Sequence, residues 1–439
     1  MPALLTGADL PELVTEIPGP ASRGWIDVLA AHECPAITSR RARRAAAMGA
    51  AHDDPFVWSE ALGANVRDAD GNTFVDLTAG FAVALLGHRP PSVVAAVRAQ
   101  ADTLLHAMGD AWPDVTRIKL LEALAKLAPA GLDVALLGLS GADAIDAAIK
   151  TARLATGRSG VLAFEGGYHG LALGVLGTQG YKAAFTDPFR DITHGAVTHL
   201  PFGCDADALD AALASGAVGL VLVEPLQGRG GVRVAPDGWL ATVVEIAHRH
   251  GALVAFDEIQ CGLGRTGRMW AAGDVTPDLL CVGKALGGGL PLSACLGTRA
   301  VMDAWGASQG EALHTQTFLG HPLGCAAALA VLDTIVREDI PGRCEAVGAA
   351  LTGALTARGH AVQGRGLMLG VTLHSTDGLT LGGMQNLAVC RALQRRGFIV
   401  LPAGMQAEVL CLTPPSTITP AQIDAFAAAL DQSIAEVIA

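Results

Sequence analysis

The sequence lacks any long uninterrupted apolar run. Hydrophobic residues make up 51% of the 439 residues, but the longest apolar runs, such as GAVGLVLV and DLLCV, are far shorter than a membrane span. The first residues, MPALLTGADLPELV, also lack the positively charged start and apolar core of a signal peptide. We therefore expect a protein that does not enter a membrane and carries no secretion signal.

Paired cysteines and an excess of positive charge are also missing. The nine cysteines are scattered singly, without CxxC pairs or clusters of His and Cys, which gives no sign of a zinc site and suits a reducing cytoplasm. The formal net charge of −12 argues against a nucleic-acid partner, because that affinity comes largely from cationic contacts to phosphates. For the one basic run, SRRARRAAAMGA at residues 39–50, a solvated helix face and an anion-binding segment both stay open.

What the sequence does contain is a series of short apolar runs between residues 130 and 300, separated by alanine-rich helical patterns. The runs are DVALLGLS, SGVLAFEGG, VGLVLVEP, GALVAFDE, DLLCVGK and SACLGT. Runs that are apolar throughout are typical of strands covered on both faces, so we predict a mainly parallel α/β sheet. Ligands of such sheets bind where strands end, which here means LSGAD, FEGGYHG, VEPLQGRGG, FDEIQ and VGK.

The length exceeds what one core usually serves, so we expect a large domain and a smaller one. The residue pattern at both chain ends differs from that of the middle, since it contains short turns such as RDADGNTFVDL and two late helical patterns. We predict that residues 1–75 form an N-terminal arm and part of a small α+β domain, that residues 76–330 form the large domain, and that residues 331–439 complete the small one.

A single cation, Lys284, stands between the apolar run DLLCV and three consecutive glycines. Burial without a partner lowers the pKa of a lysine and makes its amine a nucleophile. The alternative is an ammonium group that reaches water or a nearby carboxylate. One strand earlier, Asp257 and Glu258 follow the run ALVAF, and burial there requires a cationic or donor partner for at least one of them. A structural salt bridge would also meet that need.

Two other strand ends offer groups suited to a flat anionic ligand. LSGADAIDAAIKTARLATG, residues 139–157, passes through Ser140 and Gly141 into an amphipathic helix whose first N–H groups suit a phosphate, although many helices begin this way with nothing bound. FEGGYHG, residues 164–170, presents Tyr168 and His169 after a strand. The tyrosine either stacks on a flat ligand or closes the edge of the core.

GLGRTG, residues 262–267, has the GxGxxG spacing of a dinucleotide-binding turn but not its surroundings. Such a turn directly follows a strand and opens a helix. Here two carboxylates and IQC come before it, and RMWAAGDVTPD, which lacks helical periodicity, comes after it. We therefore reject a nicotinamide site at this position.

Together, these groups are the parts that hold pyridoxal phosphate. In such sites a lysine forms a Schiff base with the aldehyde, and an acid pairs with the protonated ring nitrogen. The chain resembles the class III aminotransferases of the fold-type-I pyridoxal-phosphate enzymes. The resemblance runs from about DGNTFVDLTAGFAVALLGHRPPSVVAAV (70–97) to LTPPSTITPAQID (412–424), and its most specific part is FDEIQCGLGRTGRMWA followed by PDLLCVGKALGGGLP.

The resemblance implies a large domain with a mainly parallel seven-stranded sheet, a smaller α+β domain from both chain ends, and a homodimer with shared active sites. It assigns Lys284 to the Schiff base and to proton transfer, and Asp257 to the ring nitrogen. The other predicted cofactor contacts are Ser140, Gly141 and Ala142 at the phosphate, Tyr168 on the ring, His169, Glu224, Gln260 near the phenolic oxygen, and Thr317 reaching the phosphate of the neighbouring subunit.

The activity that the resemblance implies is ping-pong transfer of an amino group, expected to be of the ω-amino type, from an amine or amino acid to a 2-oxo acid. Phe81 and Trp112 are expected at the substrate pocket. An amino acid racemase or epimerase of the same family remains open. A binding protein on an inactive enzyme scaffold is the reading from another class, and the intact Lys284 and Asp257 argue against it.

The chain departs from the family pattern at four positions. Ala142 replaces the usual threonine or serine of the phosphate turn, and Asp143 replaces a glutamate. Arg229 stands where many members have a glutamate, and Cys411 stands where they have the arginine that grips an α-carboxylate. Either the carboxylate-binding arginine has moved to position 229, or the preferred substrate lacks an α-carboxylate. Arg229 as a solvated loop residue is the third possibility.

Overall fold

The computed structural model describes residues 4–37, 56–193, 195–307, 310–375 and 377–439. The basic run at residues 39–50, for which the sequence leaves two interpretations open, lies outside the described residues. Within the described ranges, no helix combines the length and the apolar character needed to cross a membrane.

A seven-stranded sheet forms the centre of the large domain. Its strands, in spatial order, are β4 (Val134–Gly138), β12 (Ser293–Gly297), β11 (Leu279–Val282), β10 (Leu253–Asp257), β7 (Val218–Val223), β5 (Gly160–Phe164) and β6 (Val197–Leu200). Neighbouring strands are parallel except for β12, which runs antiparallel to β11 and to β4. The predicted mainly parallel sheet is confirmed, and each of the six apolar runs contains one of its strands.

Both faces of this sheet are covered, which is why its strands are apolar throughout. In β10, Val254 and Phe256 belong to the core on one face, whereas Ala255 between them belongs to the core on the other face. The helix Gly141–Thr156 packs on the Ala255 face. The opposite core is shared with the helices Val115–Leu127, Trp239–Arg249 and Pro322–Arg337.

Two smaller sheets combine both ends of the chain. One has the order β1 (Trp58–Leu62), β2 (Asn65–Asp68), β3 (Thr73–Asp76) and β15 (Phe398–Ile399), and the other has the order β13 (Ala361–Arg365), β14 (Met368–Thr372), β17 (Val409–Leu412) and β16 (Leu401–Ala403). Because β15 pairs in parallel with β3, a late strand completes a sheet that begins early in the chain. The smaller α+β domain is thus confirmed, while its boundaries at residues 75 and 330 stay a prediction.

Helices connect and cover these sheets. Those with described bounds are Pro20–His32, the single turn Ala79–Ala82, Pro91–Ala101, Val115–Leu127, Gly141–Thr156, Leu173–Leu176, Ala183–Thr186, Ala206–Leu213, Trp239–Arg249, Arg299–Met302, Pro322–Arg337, Ile340–Thr356, Gly383–Gln394 and Pro420–Ile438. The last two are the predicted late helices, and Val389 and Phe426 from them enter the core of the small domain. A two-stranded ribbon, β8 (Leu226–Gln227) and β9 (Arg233–Val234), follows β7.

Candidate active site

Five strand ends bring polar side chains to one edge of the central sheet. The strands β5, β7, β10 and β11 are parallel, and β4 shares their direction because both β4 and β11 run antiparallel to β12. Carboxyl ends of parallel strands meet at the same edge of a sheet. Ser140 follows β4, His169 follows β5, Glu224 follows β7, Asp257 ends β10, and Lys284 comes two residues after β11.

Asp257 and His169 form a buried pair at this edge. Nδ1 of His169 lies 2.7 Å from Oδ2 of Asp257, while Oδ1 of Asp257 accepts a hydrogen bond from the backbone N–H of Ile259 at 3.1 Å. Burial alone would lower the pKa of His169, but the hydrogen bond to Asp257 and the charges of Asp257 and Glu224 outweigh it, so the pKa lies above its ordinary value. The Asp257 contact therefore favours the protonated imidazole more than burial disfavours it.

The Lys284 amine follows β11, which is the strand next to the one that ends at Asp257. Its Nζ is 3.4 Å from Oε1 of Gln260, and burial lowers the pKa of Lys284 although Asp257 and Glu224 oppose that shift. The residue also has a φ of 44°, a left-handed conformation that costs free energy in a non-glycine residue and is found at functional sites. A lysine with a lowered pKa releases its proton more readily and becomes a nucleophile.

Glu224 connects two turns of the site. Its Oε1 accepts the backbone N–H of Tyr168 at 2.8 Å, and its Oε2 accepts the backbone N–H of Gly228 at 3.2 Å. Burial raises the pKa of Glu224 to about 7. The carboxyl group therefore fixes the turn that carries Tyr168 relative to the ribbon that carries Arg229.

Glu258 is held differently from its neighbour Asp257. Its two carboxylate oxygens accept the backbone N–H groups of Ala271 and Ala272 at 2.6 and 3.0 Å. Asp257 has the His169 imidazole as its side-chain partner, and Glu258 has backbone donors, so both carboxyl groups have the kind of partner that burial requires. The sequence GLGRTG that follows forms turns, and the next regular element is a strand, so it lacks the helix that a dinucleotide-binding turn requires.

The start of the helix Gly141–Thr156 is capped by two side chains. Oγ of Ser140 accepts the N–H of Asp143 at 3.2 Å, and Oδ2 of Asp143 accepts the N–H groups of Leu139 and Ser140 at 2.8 and 2.9 Å. The Asp143 carboxylate thus performs the capping role that a longer glutamate would perform. The first-turn N–H groups of Gly141 and Ala142 have no carbonyl partner within the helix and stay available for an anion.

Close packing brings this helix start against the rest of the site. A Cβ at Gly141 would lie 3.0 Å from Cδ1 of Ile259, two residues after Asp257. A Cβ at Gly170, where φ is +111°, would lie 2.8 Å from Cβ of Ala142. The turn with Tyr168 and His169 therefore packs directly on Ala142.

Arg229 lies at the same site, between β8 and β9. Its guanidinium carbon is 5.2 Å from the centre of the Tyr168 ring. Cys411, on β17, is half-buried, and burial raises the pKa of its thiol to about 11 although Arg229, Arg265 and Lys284 favour the thiolate. At neutral pH this thiol is uncharged, so it neutralises none of the cations near it.

Three predicted residues are not brought to this group within the single chain. Phe81 and Trp112 are 63% and 71% exposed, and Thr317 is exposed in a turn. In the described part of the chain, no hydrogen bond or ring contact joins any of them to Lys284 or Asp257. All three side chains are exposed in the single chain.

Phe81 is presented by an unusual turn. The residues Ala79 to Ala82 all have left-handed φ angles between 46° and 67°. The buried carboxylate of Asp76 holds this turn by accepting hydrogen bonds from the Thr78 hydroxyl at 2.6 Å and from the Gly80 N–H at 3.0 Å. The strain of the turn is thus offset by hydrogen bonds to one buried side chain at its base.

Tyr181 is a site residue that the sequence interpretation missed. It is buried, its hydroxyl donates to the Gly404 carbonyl at 3.1 Å, and its ring centre lies 5.4 Å from the Arg229 guanidinium carbon. The sequence could have drawn attention to Tyr181 because tyrosine is rare in this chain, which contains only Tyr168 and Tyr181. Both contact Arg229.

Comparison with known families decides what this arrangement is. The family model described as "Aminotransferase class-III" matches residues 47–434. The chain belongs to the class III aminotransferase family. The acetylornithine aminotransferase of Mycolicibacterium smegmatis is 40% identical over 374 residues, which cover 84% of this chain and 90% of that protein. The acetylornithine aminotransferase of Methanopyrus kandleri is 38% identical over 314 residues, 70% of this chain and 78% of that protein.

Solved structures agree with this assignment. The ornithine aminotransferase of Toxoplasma gondii ME49 has a TM-score of 0.80 and 28% identity, covering 96% of this chain and 97% of that chain. An amine transaminase of an uncultivated Pseudomonas species, solved in its pyridoxal-phosphate-bound form, has a TM-score of 0.78 and 30% identity, covering 88% of this chain and 95% of that chain. The fold is therefore that of fold type I, as predicted.

Class III aminotransferases depend on pyridoxal phosphate, so this chain is a pyridoxal-phosphate-dependent transferase. The residues at the site edge fit that cofactor. They provide an amine of lowered pKa at Lys284, a buried carboxylate at Asp257, an aromatic ring at Tyr168, and free helix N–H groups at Gly141 and Ala142. These are the donors that an aldehyde, a ring nitrogen, a flat ring and a phosphate require.

Proposed function

We propose that this class III aminotransferase transfers an amino group from an amine or amino acid to a 2-oxo acid by a ping-pong mechanism. The observation that carries the proposal is the position of Lys284, an amine of lowered pKa, after the strand next to β10. Strand β10 ends at Asp257, which forms a buried pair with His169. We expect the donated amino group to be terminal, of the ω-amino type. The names of the relatives, acetylornithine and ornithine aminotransferases, support this expectation, because ornithine carries a terminal amine.

Lys284 has two roles in this proposal. Its Nζ would hold the cofactor covalently in the resting enzyme, and as a free amine the same Nζ would accept a proton from the substrate carbon. Bound pyridoxal phosphate supplies the aldehyde and the electron-withdrawing ring. Asp257 would pair with the ring nitrogen, and His169 orients the Asp257 carboxyl group through the 2.7 Å contact.

The remaining predicted contacts bind and orient the cofactor. The N–H groups of Gly141 and Ala142, with the Ser140 hydroxyl, bind the phosphate at the positive end of the helix. The Tyr168 ring stacks on the cofactor ring. Gln260, whose amide oxygen lies beside the Lys284 amine, faces the phenolic oxygen, and Glu224 fixes the two surrounding turns.

The homodimer is supported by an exposed apolar surface beside Thr317. Two segments, residues 104–118 and 313–318, form it together: the rings of His106 and Phe318 are 5.3 Å apart, and Thr315 Oγ1 donates to Asp110 Oδ2 at 3.0 Å. The exposed apolar side chains of this 104–118/313–318 surface are Leu104, Leu105, Met108, Trp112, Val115, Ile118, Leu313 and Phe318. Patches of this kind mark protein interfaces. A second subunit would cover it and receive Thr317 at its phosphate site, with Phe81 and Trp112 beside the substrate.

We also propose a cytoplasmic location. None of the nine cysteines forms a disulfide bond, although Cys281 and Cys295 lie opposite each other on β11 and β12. Facing thiols that stay unpaired suit a reducing compartment.

A donor screen tests the proposed activity. The purified holoenzyme is incubated with terminal amines, such as ornithine and its acetylated form, and with pyruvate or 2-oxoglutarate as acceptor. We expect alanine or glutamate to form in step with loss of the amine. Loss of optical rotation from a single amino acid enantiomer without any acceptor, together with no transamination, would identify a racemase instead and overturn the proposal.

A further inference from the structure

Arg229 is presented by a backbone that is fixed at several points. Its own carbonyl accepts the N–H of Gly404 at 2.9 Å, the N–H of Val232 donates back to the Gly228 carbonyl at 3.1 Å, and Gln363 Nε2 donates to the Gly231 carbonyl at 2.6 Å. Each of these bonds joins the loop to itself or to the small domain. The loop therefore holds Arg229 in one place before any ligand arrives.

Two aromatic rings hold the side chain as well. The Arg229 guanidinium carbon lies 5.2 Å from the Tyr168 ring centre and 5.4 Å from the Tyr181 ring centre, within the range of cation–π attraction. The two rings are 6.3 Å apart and nearly perpendicular. Gly404 links this group together, since its N–H donates to the Arg229 carbonyl and its carbonyl accepts the Tyr181 hydroxyl.

The guanidinium group has no counter-ion. Among the described residues, no carboxylate lies within 4 Å of Arg229, and its side chain donates no hydrogen bond to another described residue, although it is half-buried. The nearby Cys411 thiol is neutral at neutral pH because burial raises its pKa to about 11. A half-buried arginine retains five N–H donors in a planar fork, which matches the two oxygens of a carboxylate.

The side chain of Gln260 lies between the Arg229 loop and the amine of Lys284. A Cβ at Gly228 would collide with the side-chain amide of Gln260, so the loop packs directly on that amide. The same amide oxygen lies 3.4 Å from Lys284 Nζ. The positive charge of Arg229 also lowers the pKa of Lys284, so the two side chains are near enough to interact electrostatically.

We infer that Arg229 binds the carboxylate of the 2-oxo acid and amino acid substrates of this enzyme. The inference rests on the proposed transamination and makes it more specific, because it names carboxylates as the substrate class that the site selects. Tyr168 and Tyr181 orient the guanidinium plane, and the fixed loop removes the ordering cost that a mobile arginine would bring to binding.

Half-reactions of the holoenzyme separate this role from a structural one. The variants are Arg229→Ala and Arg229→Lys, and the matched control is Arg233→Ala, an exposed arginine four residues further along. Each protein is first converted by 1-phenylethylamine, which has no carboxylate, and then by pyruvate. In Arg229→Ala we expect the concentration of pyruvate for half-maximal rate to rise about tenfold or more, since loss of a charge-assisted bidentate pair has at least that effect.

The 1-phenylethylamine step should stay unchanged in Arg229→Ala, and the control should be unchanged in both steps. Arg229→Lys should bind pyruvate more weakly than the wild type, because an ammonium group lacks the planar fork. An unaltered pyruvate response in folded, cofactor-loaded Arg229→Ala would overturn the inference. An equal loss in both half-reactions would overturn it as well, since it would show that Arg229 only supports the structure.

Carboxylate binding without turnover gives a second readout. Calorimetric titration of the wild-type holoenzyme with propionate, which has no group that can react, should show binding that is about tenfold weaker or more in Arg229→Ala. Equal propionate affinity in the two proteins would contradict the role of Arg229. If no donor and acceptor pair supports transamination in the wild type, the proposed function fails while the propionate titration still decides the role of Arg229.

Discussion

The imidazole of His169 is 2.7 Å from the Asp257 carboxylate, and the two side chains are 3% and 4% exposed. Because they follow neighbouring parts of one sheet edge, β5 and β10, their contact joins two strand ends that are separated by β7. The charges of Asp257 and Glu224 outweigh burial and raise the pKa of His169 above its ordinary value. The contact also orients the Asp257 carboxyl group, which the strand alone would leave free to rotate.

Replacing Asp257 by asparagine should therefore remove the charge while keeping the shape. We expect kcat to fall about 100-fold or more, because a fixed charge facing the reacting system is lost from a site that excludes water. Asp210→Asn is the matched control, since Asp210 forms a comparable contact with His250 at 2.9 Å far from the site edge. Steady-state kinetics on cofactor-loaded proteins provide the measurement. Near-wild-type turnover of Asp257→Asn would remove Asp257 from the mechanism.

A charge placed on the 104–118/313–318 surface should separate the subunits. Leu105→Glu puts a carboxylate on that surface, and Leu379→Glu makes the same change at a leucine of similar exposure in the small domain. We expect sedimentation velocity at micromolar concentration to show dimers for the wild type and Leu379→Glu, and monomers of low activity for Leu105→Glu. A fully active wild-type monomer would rule out the role of Thr317 across the subunits.

The buried carboxyl group of Glu258 should make stability depend on pH. Burial raises its pKa to about 7, whereas the value in the unfolded chain is near 4.5. Between these values the folded state binds more protons than the unfolded chain, so rising pH favours unfolding. The resulting loss in the free energy of unfolding is absent below pH 4.5 and grows as the pH rises. It reaches about 3 kcal/mol above pH 7.

Glu258→Gln removes the titrating group and supplies the comparison. Urea unfolding at pH 5 and at pH 8 should show that the wild type loses more stability than the variant over this interval. Parallel behaviour of the two proteins would mean that Glu258 ionises normally, and a wild type that gains stability relative to the variant would reverse the predicted sign.

The central sheet and its functional edge could be predicted from the sequence because each strand is indicated by a run of consecutive residues. Runs such as ALVAFD, apolar on every residue, indicate strands that are covered on both faces, and parallel strands place Asp257 and Lys284 at one edge without further information. β6 was missed since it lies at the edge of the sheet, and its residues Thr198 and His199 interrupt the apolar pattern.

Contacts between distant segments were beyond the reach of sequence patterns. The hydrogen bond of Tyr181 to Gly404 joins residues 223 positions apart, and no periodicity predicts it. The sequence required partners for Asp257 and Glu258 but did not identify them, because the imidazole of His169 and the backbone N–H groups of Ala271 and Ala272 come from distant positions. For a residue predicted to act across a subunit boundary, such as Thr317, the neighbouring residues do not indicate which site in the other subunit it reaches.

The identity of the lysine that holds the cofactor tests the account most directly. Borohydride reduction of the purified, yellow holoenzyme fixes the cofactor covalently to that lysine, and peptide mapping by mass spectrometry locates it. We predict the label on Lys284 and complete loss of turnover in Lys284→Ala, with the cofactor still able to bind non-covalently. Label on Lys182, whose amine lies 4.9 Å from the Tyr181 ring, or on Lys150 would contradict the assignment of the active site.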